Sequence, residues 1–170
     1  MSSLYLIANG PMPTTDSQVV VTTGTAIKTM LQVKAGTTLP LKIKEWGISF
    51  DGNAAATPIK CELLETDVAA TVTASASVDI IKLDGNALSG GDPVTNLIPV
   101  GTNSTGYTAT AEGTITAVRM FDVQLVAPTN QYVKQFPLGL EPVIQVSKFA
   151  RIRVKAGAAV NAYCYMIVEV

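Results

Sequence analysis

Apolar side chains recur at every second position in short runs, and this period constrains the chain more than any other feature. Ile59, Cys61 and Leu63 alternate with Lys60 and Glu62, and Ala162, Cys164 and Met166 alternate with Tyr163 and Tyr165. A period of two sends successive side chains to opposite faces of a strand, whereas a helix needs a period near 3.6. Composition agrees: Ala, Thr and Val number 20, 20 and 19, and the β-branched Thr and Val suit a pleated surface. The 13 glycines and 9 prolines are scattered as turn punctuation. About nine or ten short strands with no long helix predict an all-β protein, a single-domain antiparallel β-sandwich or jelly-roll-like fold. A chain of 170 residues fits one domain, burying roughly 70% of its extended-chain surface. No fixed-period repeat, linker or low-complexity run divides it.

Residues 1–16 contain Gly10-Pro11 and Pro13 and keep no period, so they are expected to form an extended N-terminal arm, with residues 17–170 as the sandwich. The arm's apolar segment, Leu4-Tyr5-Leu6-Ile7, needs a covering surface, either the domain's own core or a neighbour's. Strands are expected at 18–23 and 25–33, on either side of Gly24. In the strand at 41–50, Leu41 and Ile43 face one way on odd numbers, while Trp46, Ile48 and Phe50 continue on even numbers. A slip of one residue exchanges faces, so a bulge or sheet-changing bend belongs at Lys44-Glu45. Asp51-Gly52-Asn53 and Asp84-Gly85-Asn86 read as turns. Residues 66–73 are ambiguous between helix and strand, and 78–83 read as a short strand. The stretch 87–106 is rich in Gly, Ser, Asn and Pro and long enough to be an interface or functional loop. A strand is possible at 107–111. In the longest strand, at 114–127, Ile115, Ala117, Phe121, Val123 and Leu125 share a face that Arg119 interrupts. Residues 128–142 read as a loop carrying Tyr132, Val133, Phe136, Leu138 and Leu140. Strands at 143–149, 151–155 and 161–170 complete the set, the last two separated by a turn at Gly157.

Little in the chain supports chemistry. It contains no histidine, which removes the commonest general base and transition-metal ligand. Cys61 and Cys164 each sit among alternating apolar residues and read as two buried thiols, with no CxxC pair for zinc or iron–sulfur. Glu62 and Glu65 point to opposite faces of one strand, so they and Asp67 read as a solvated edge rather than a hydrolytic pair. The two DGN sequences lack the alternating acidic ligands of a calcium loop. No phosphate-binding glycine motif is present; Gly90-Gly91 has no helix after it. Asn103-Ser104-Thr105 matches a glycosylation sequon. The N-terminus has no basic region, so a secretory signal is not expected and synthesis in a cytoplasm is. No catalytic residue, cofactor or metal is expected.

Partners are constrained by charge. Asp, Glu, Lys and Arg make up only 15% of residues and the net charge is −1, against about 25% charged residues in an ordinary soluble domain. A surface this poor in charge is weakly defended against association. The one basic cluster, Arg151, Arg153 and Lys155, alternates with Ile152 and Val154 and reads as the solvated face of a strand, so nucleic acid is not an expected partner. No apolar run reaches membrane-spanning length. Trp46 has the core-facing pattern, while Tyr163, Tyr165 and Ile167 make the last strand apolar on both faces, favouring a subunit contact, with a ligand groove as the alternative. Subunit contacts are expected at Leu4, Tyr5, Leu6, Ile7, Tyr132, Phe136, Tyr163 and Tyr165.

Four segments carry a resemblance: Glu45-Trp46-Gly47-Ile48-Ser49-Phe50-Asp51-Gly52, Glu62-Leu63-Leu64-Glu65-Thr66-Asp67-Val68-Ala69-Ala70-Thr71, Gly106-Tyr107-Thr108-Ala109-Thr110-Ala111-Glu112-Gly113-Thr114, and Val126-Ala127-Pro128-Thr129-Asn130-Gln131-Tyr132. Through them the chain, from Thr22 onward, resembles the capsid decoration (cement) proteins of tailed bacteriophages infecting actinobacteria. The resemblance is of texture and phrase, without a diagnostic motif. It implies a β-sandwich or jelly-roll, often a homotrimer, that clamps the major capsid protein on the exterior of the virion and carries no catalytic residues. The competing expectations are another virion part, such as a tail or fibre component, a carbohydrate- or receptor-binding module, and a hydrolase working through carboxylates or an unaided Ser.

Overall fold

A computed structural model describes residues 2–53, 57–84 and 94–170. Among these, the strands are β1 (Leu4–Ala8), β2 (Val21–Thr22), β3 (Lys28–Lys34), β4 (Leu41–Phe50), β5 (Ile59–Thr66), β6 (Thr71–Ala74) and β7 (Ile80–Lys82). They continue as β8 (Gly106–Ala111), β9 (Val118–Val126), β10 (Gln131–Gln135), β11 (Val143–Ile144), β12 (Phe149–Lys155) and β13 (Asn161–Glu169). The only helical segments described are a 3-10 turn at Ser77–Asp79 and a single α-turn at Val94–Leu97. The Asp84-Gly85-Asn86 turn extends beyond the described residues, as do residues 87–93 of the long loop.

Two antiparallel sheets pack face to face. The larger has seven strands in the order β10-β4-β13-β1-β7, with β2 on β13 and β11 on β4; the smaller has six in the order β6-β8-β3-β12-β5-β9. The chain crosses between sheets at β2–β3, β3–β4, β4–β5, β6–β7, β7–β8, β9–β10, β11–β12 and β12–β13, so each sheet is assembled from segments far apart in sequence. Their inner faces form one core. Leu31, Cys61, Leu63 and Ile152 from the smaller sheet meet Ile7, Trp46, Ile48, Cys164 and Met166 from the larger. The cysteines therefore come from opposite sheets, are free and are fully buried, as the alternating pattern implied.

The bulge expected in β4 is present. Glu45 pairs with Ile167 and Ile43 with Val168, leaving Lys44 as the extra residue, and both Ile43 and Trp46 thereby reach the core.

Several expectations need correction. Residues 4–8 do not form a free arm: β1 lies between β13 and β7, and Tyr5 and Ile7 are core residues at 1% and 0% exposure. Leu4-Tyr5-Leu6-Ile7 is long enough to complete a sheet, and its partners, β7 and β13, lie far along the chain. The strand expected at 18–23 reduces to β2, and residues 131–135, read as loop, form an edge strand on β4. The faces of β9 are also exchanged. Val123 and Leu125 are exposed while Asp122 and Val126 are buried, because Leu63 pairs with Asp122 and Leu64 with Met120, leaving Phe121 as a bulge. Arg119 is exposed and reaches the carboxylate of Glu65 at 2.8 and 2.7 Å. Glu65 is buried, also accepts from the Gln145 amide, and so does not sit on a solvated edge.

Arg151 is the largest departure: its side chain is fully buried, not solvated. It lies on the outer face of the smaller sheet, opposite Gln32 and Leu64. The loop residues that flank β6 and β8, Val68, Ala70, Ser104 and Glu112, reach that face. Arg151 donates to the carbonyl oxygens of Val68 and Glu112 and to the Glu112 carboxylate at 3.2 Å. Thr29 donates to the same carboxylate through its amide and hydroxyl, each at 2.6 Å. Gln32 exchanges hydrogen bonds with Ala70 and donates to the Ser104 carbonyl. Buried polar groups of this kind persist only where partners are supplied, and here these loops supply them. Arg153 pairs with Glu62 at 2.8 Å, and only Lys155 of the three is exposed.

Candidate functional site

The outer face of the larger sheet gathers more of the expected contact residues than any other surface. Directly opposed residues in antiparallel strands share a face, so the register defines its rows. One row runs Val133, Gly47, Tyr165, Ala8, and the next runs Gln135, Glu45, Ile167, Leu6, Ile81. Tyr163 stands beside Ser49, and Leu4 beside Glu169. Leu4, Leu6, Tyr163 and Tyr165 thus come together on this one face, with Leu6 and both tyrosines half-buried and Leu4 exposed.

Gly47 shapes the centre of the face. A Cβ there would lie 2.6 Å from Cε1 of Tyr165, so the missing side chain is what lets the tyrosine ring lie across the strand. The Tyr165 hydroxyl donates to Glu45 Oε1 at 2.6 Å, and Gln135 donates to Oε2 at 3.3 Å. Burial and the neighbouring Glu45 carboxylate push the Tyr165 phenol well above its usual range, and burial raises that of Tyr163. Both rings stay neutral, with centroids 6.1 Å apart and planes inclined at 32°. The two half-buried tyrosines make an aromatic pair at the centre of this face.

At one end this face runs into a groove of about 650 Å³. Leu4 and Ile167 line it from the sheet, and Phe136, Pro137 and Leu138 line it from the segment after β10. The cation among its described lining residues, Lys44, is the bulged residue of β4. Lys44 bridges Glu141 at 2.8 Å and Glu169 at 2.6 Å. Lys44 and the Gly139 amide hold the Glu141 carboxyl down at about 2. The bulge predicted from the sequence therefore supplies the clamp that fixes the loop carrying Phe136 and Leu138.

Of the remaining expected contact residues, Phe136 lines the groove, and Tyr5, Ile7 and Tyr132 lie elsewhere. Tyr5 and Ile7 face the core and are unavailable to a neighbour. Tyr132 points between the sheets: its ring centroid is 5.3 Å from that of Trp46, and its hydroxyl donates to Asp122 at 2.9 Å. Phe136 is half-buried, with the Lys134 ammonium 5.3 Å from its ring centroid.

Asp122 is the site that the alternation pattern hid. Buried in the edge between β9 and β10, it accepts from Trp46 Nε1 at 3.2 Å, Gln124 at 2.9 Å and Tyr132, with Lys134 at 3.6 Å. Its role is to close the sandwich at its open side. The buried carboxylates Glu65, Asp79 and Asp122 are all saturated by donors that join loops or strands. Among the described residues no three His, Cys, Asp or Glu side chains converge as metal ligands. No described helix is long and apolar enough to cross a membrane.

The most exposed large apolar side chains lie on β9 and in the loop after β10. Met120 is 63% exposed, Leu125 70%, Leu138 90% and Leu140 72%. β9 is also an edge strand, bonded on one side only, to β5.

No protein family, curated protein or solved structure matches the chain. What the fold defines is a class, an all-β antiparallel sandwich.

Proposed function

We propose that this chain is a structural subunit of a virus particle: a decoration (cement) protein that binds the assembled shell of major capsid protein on its exterior and stabilises it, as a homotrimer. The observation that carries the reading is the large apolar side chain left uncovered along β9 and in the loop after β10, with Leu125, Leu138 and Leu140 each more than two-thirds exposed. Apolar surface exposed in this way marks a contact face, and a long unpaired edge strand such as β9 is a liability unless something covers it. Low charge, the tyrosine pair and the groove extend the same argument to the outer face of the larger sheet. A clip of this kind needs no reaction. It stabilises the shell by mass action, binding the assembled lattice in preference to loose subunits, through contacts of roughly 1,200–2,000 Å².

The test is co-sedimentation of the purified chain with assembled shells and with unassembled capsid subunits, alongside its mass by light scattering. Binding to shells alone, by a trimer, supports the reading; a monomer indifferent to shells overturns it. A tail or fibre subunit would instead co-sediment with tails. The side-by-side Tyr163 and Tyr165 rings favour a second reading, a glycan-binding face, since sugars stack on exposed aromatic steps. Glycan-array binding lost in Tyr163→Ala would support that alternative.

A further inference from the structure

We infer that the groove beside Phe136 takes an extended segment of the partner protein that carries lysine or arginine between apolar side chains. The inference rests on the decoration reading and specifies the partner's chemistry at one place. Leu4, Ile167, Pro137 and Leu138 give the groove apolar walls. Leu138 is almost fully exposed, so its side chain is covered only by something that enters.

Charge identifies the occupant. Among the described residues that line it, the groove holds four carboxylates, those of Glu45, Asp84, Glu141 and Glu169, against the ammonium of Lys44. Lys44 is already engaged by Glu141 and Glu169. Among the described residues Glu45 accepts from two neutral donors, the Tyr165 hydroxyl and the Gln135 amide. Asp84, with a side chain 40% exposed, has Lys82 at 3.7 Å. The excess of negative charge disfavours an acidic segment and leaves Glu45 and Asp84 to meet incoming cations while the walls take the apolar side chains. Nucleic acid is disfavoured by the same sign of charge.

The test uses the full chain and a fluorescein-labelled hexapeptide of alternating leucine and lysine, with alternating leucine and glutamate as the control, read by anisotropy. The lysine peptide is expected to bind and the glutamate peptide not to. Glu45→Gln combined with Asp84→Asn should weaken binding about fivefold, and raising salt from about 0.05 M to about 0.5 M should weaken it further. Leu138→Ser, at a side chain outside the core, should weaken binding with the thermal midpoint unchanged. Equal binding of the two peptides, or indifference to both variants, overturns the inference. If neither peptide binds and Leu138→Ser instead lowers the native mass, the occupant is a second copy of the chain and the inference is equally overturned. Shell co-sedimentation that persists without peptide binding sinks this inference alone, whereas peptide binding without shell binding sinks the decoration reading.

Discussion

Replacing Asp122 with alanine tests the structural core of this account. In the native fold one Asp122 oxygen accepts from Trp46 Nε1 at 3.2 Å and from the Tyr132 hydroxyl at 2.9 Å. Trp46 is fully buried, so without the carboxylate its indole N–H has no acceptor and cannot reach water. Leaving one buried donor unpaired costs about 2 kcal/mol. Tyr132 is only half-buried, and water can partly replace its partner, so about 1 kcal/mol more is lost there. The Lys134 contact is long, at 3.6 Å, and its ammonium side chain is 37% exposed, so it adds little. The total, about 3 kcal/mol, corresponds to a melting temperature lower by about 9 °C for a domain of this size. Asp122→Asn keeps one acceptor oxygen and should lose about 1 kcal/mol. Trp46 is the only tryptophan, so urea unfolding followed by its fluorescence reports at the site of the change. A loss below about 0.5 kcal/mol in Asp122→Ala, or an asparagine variant as unstable as the alanine one, would refute the reasoning.

Further outcomes follow from individual contacts. Lys44 holds the Glu141 carboxyl below its unfolded value, so the stabilisation this pair gives is complete above the ordinary glutamate range and is lost as pH falls toward about 2. Urea midpoints of the wild type and Glu141→Gln should therefore differ most near neutral pH and converge below about pH 3; a gap that widens on acidification would contradict the assignment. Burial, with Glu62 adding to it, pushes the Cys61 thiol up to about 12, and burial raises Cys164 as well. Neither should react with a thiol reagent at about pH 8 until the chain is unfolded, when both should; mass spectrometry before and after urea decides this. Gly47→Ala drives Tyr165 from its seat and breaks its bond to Glu45, at a cost of about 1 kcal/mol. Tyrosine fluorescence or NMR of the Tyr165 ring should change while the Trp46 signal stays native.

The sequence by itself determined the class of fold and the residues able to share a face. Period-two alternation placed Ile59, Cys61 and Leu63 in a core, and the change of parity marked Lys44-Glu45 as a bulge or bend, where the structure has a bulge at Lys44. These follow because side-chain direction along a strand is a local property of the backbone. What local pattern cannot encode is which surface each face meets. Leu4 to Ile7 became an interior strand through pairing with residues 166–169, at the far end of the chain. Arg151 was buried by the loops that flank β6 and β8, through Val68 and Glu112, and the bulge at Phe121 turned Asp122 inward to Trp46. Alternation in those strands is compatible with either orientation. Only the three-dimensional meeting of distant segments, each supplying the partners a buried charge or amide requires, selected one.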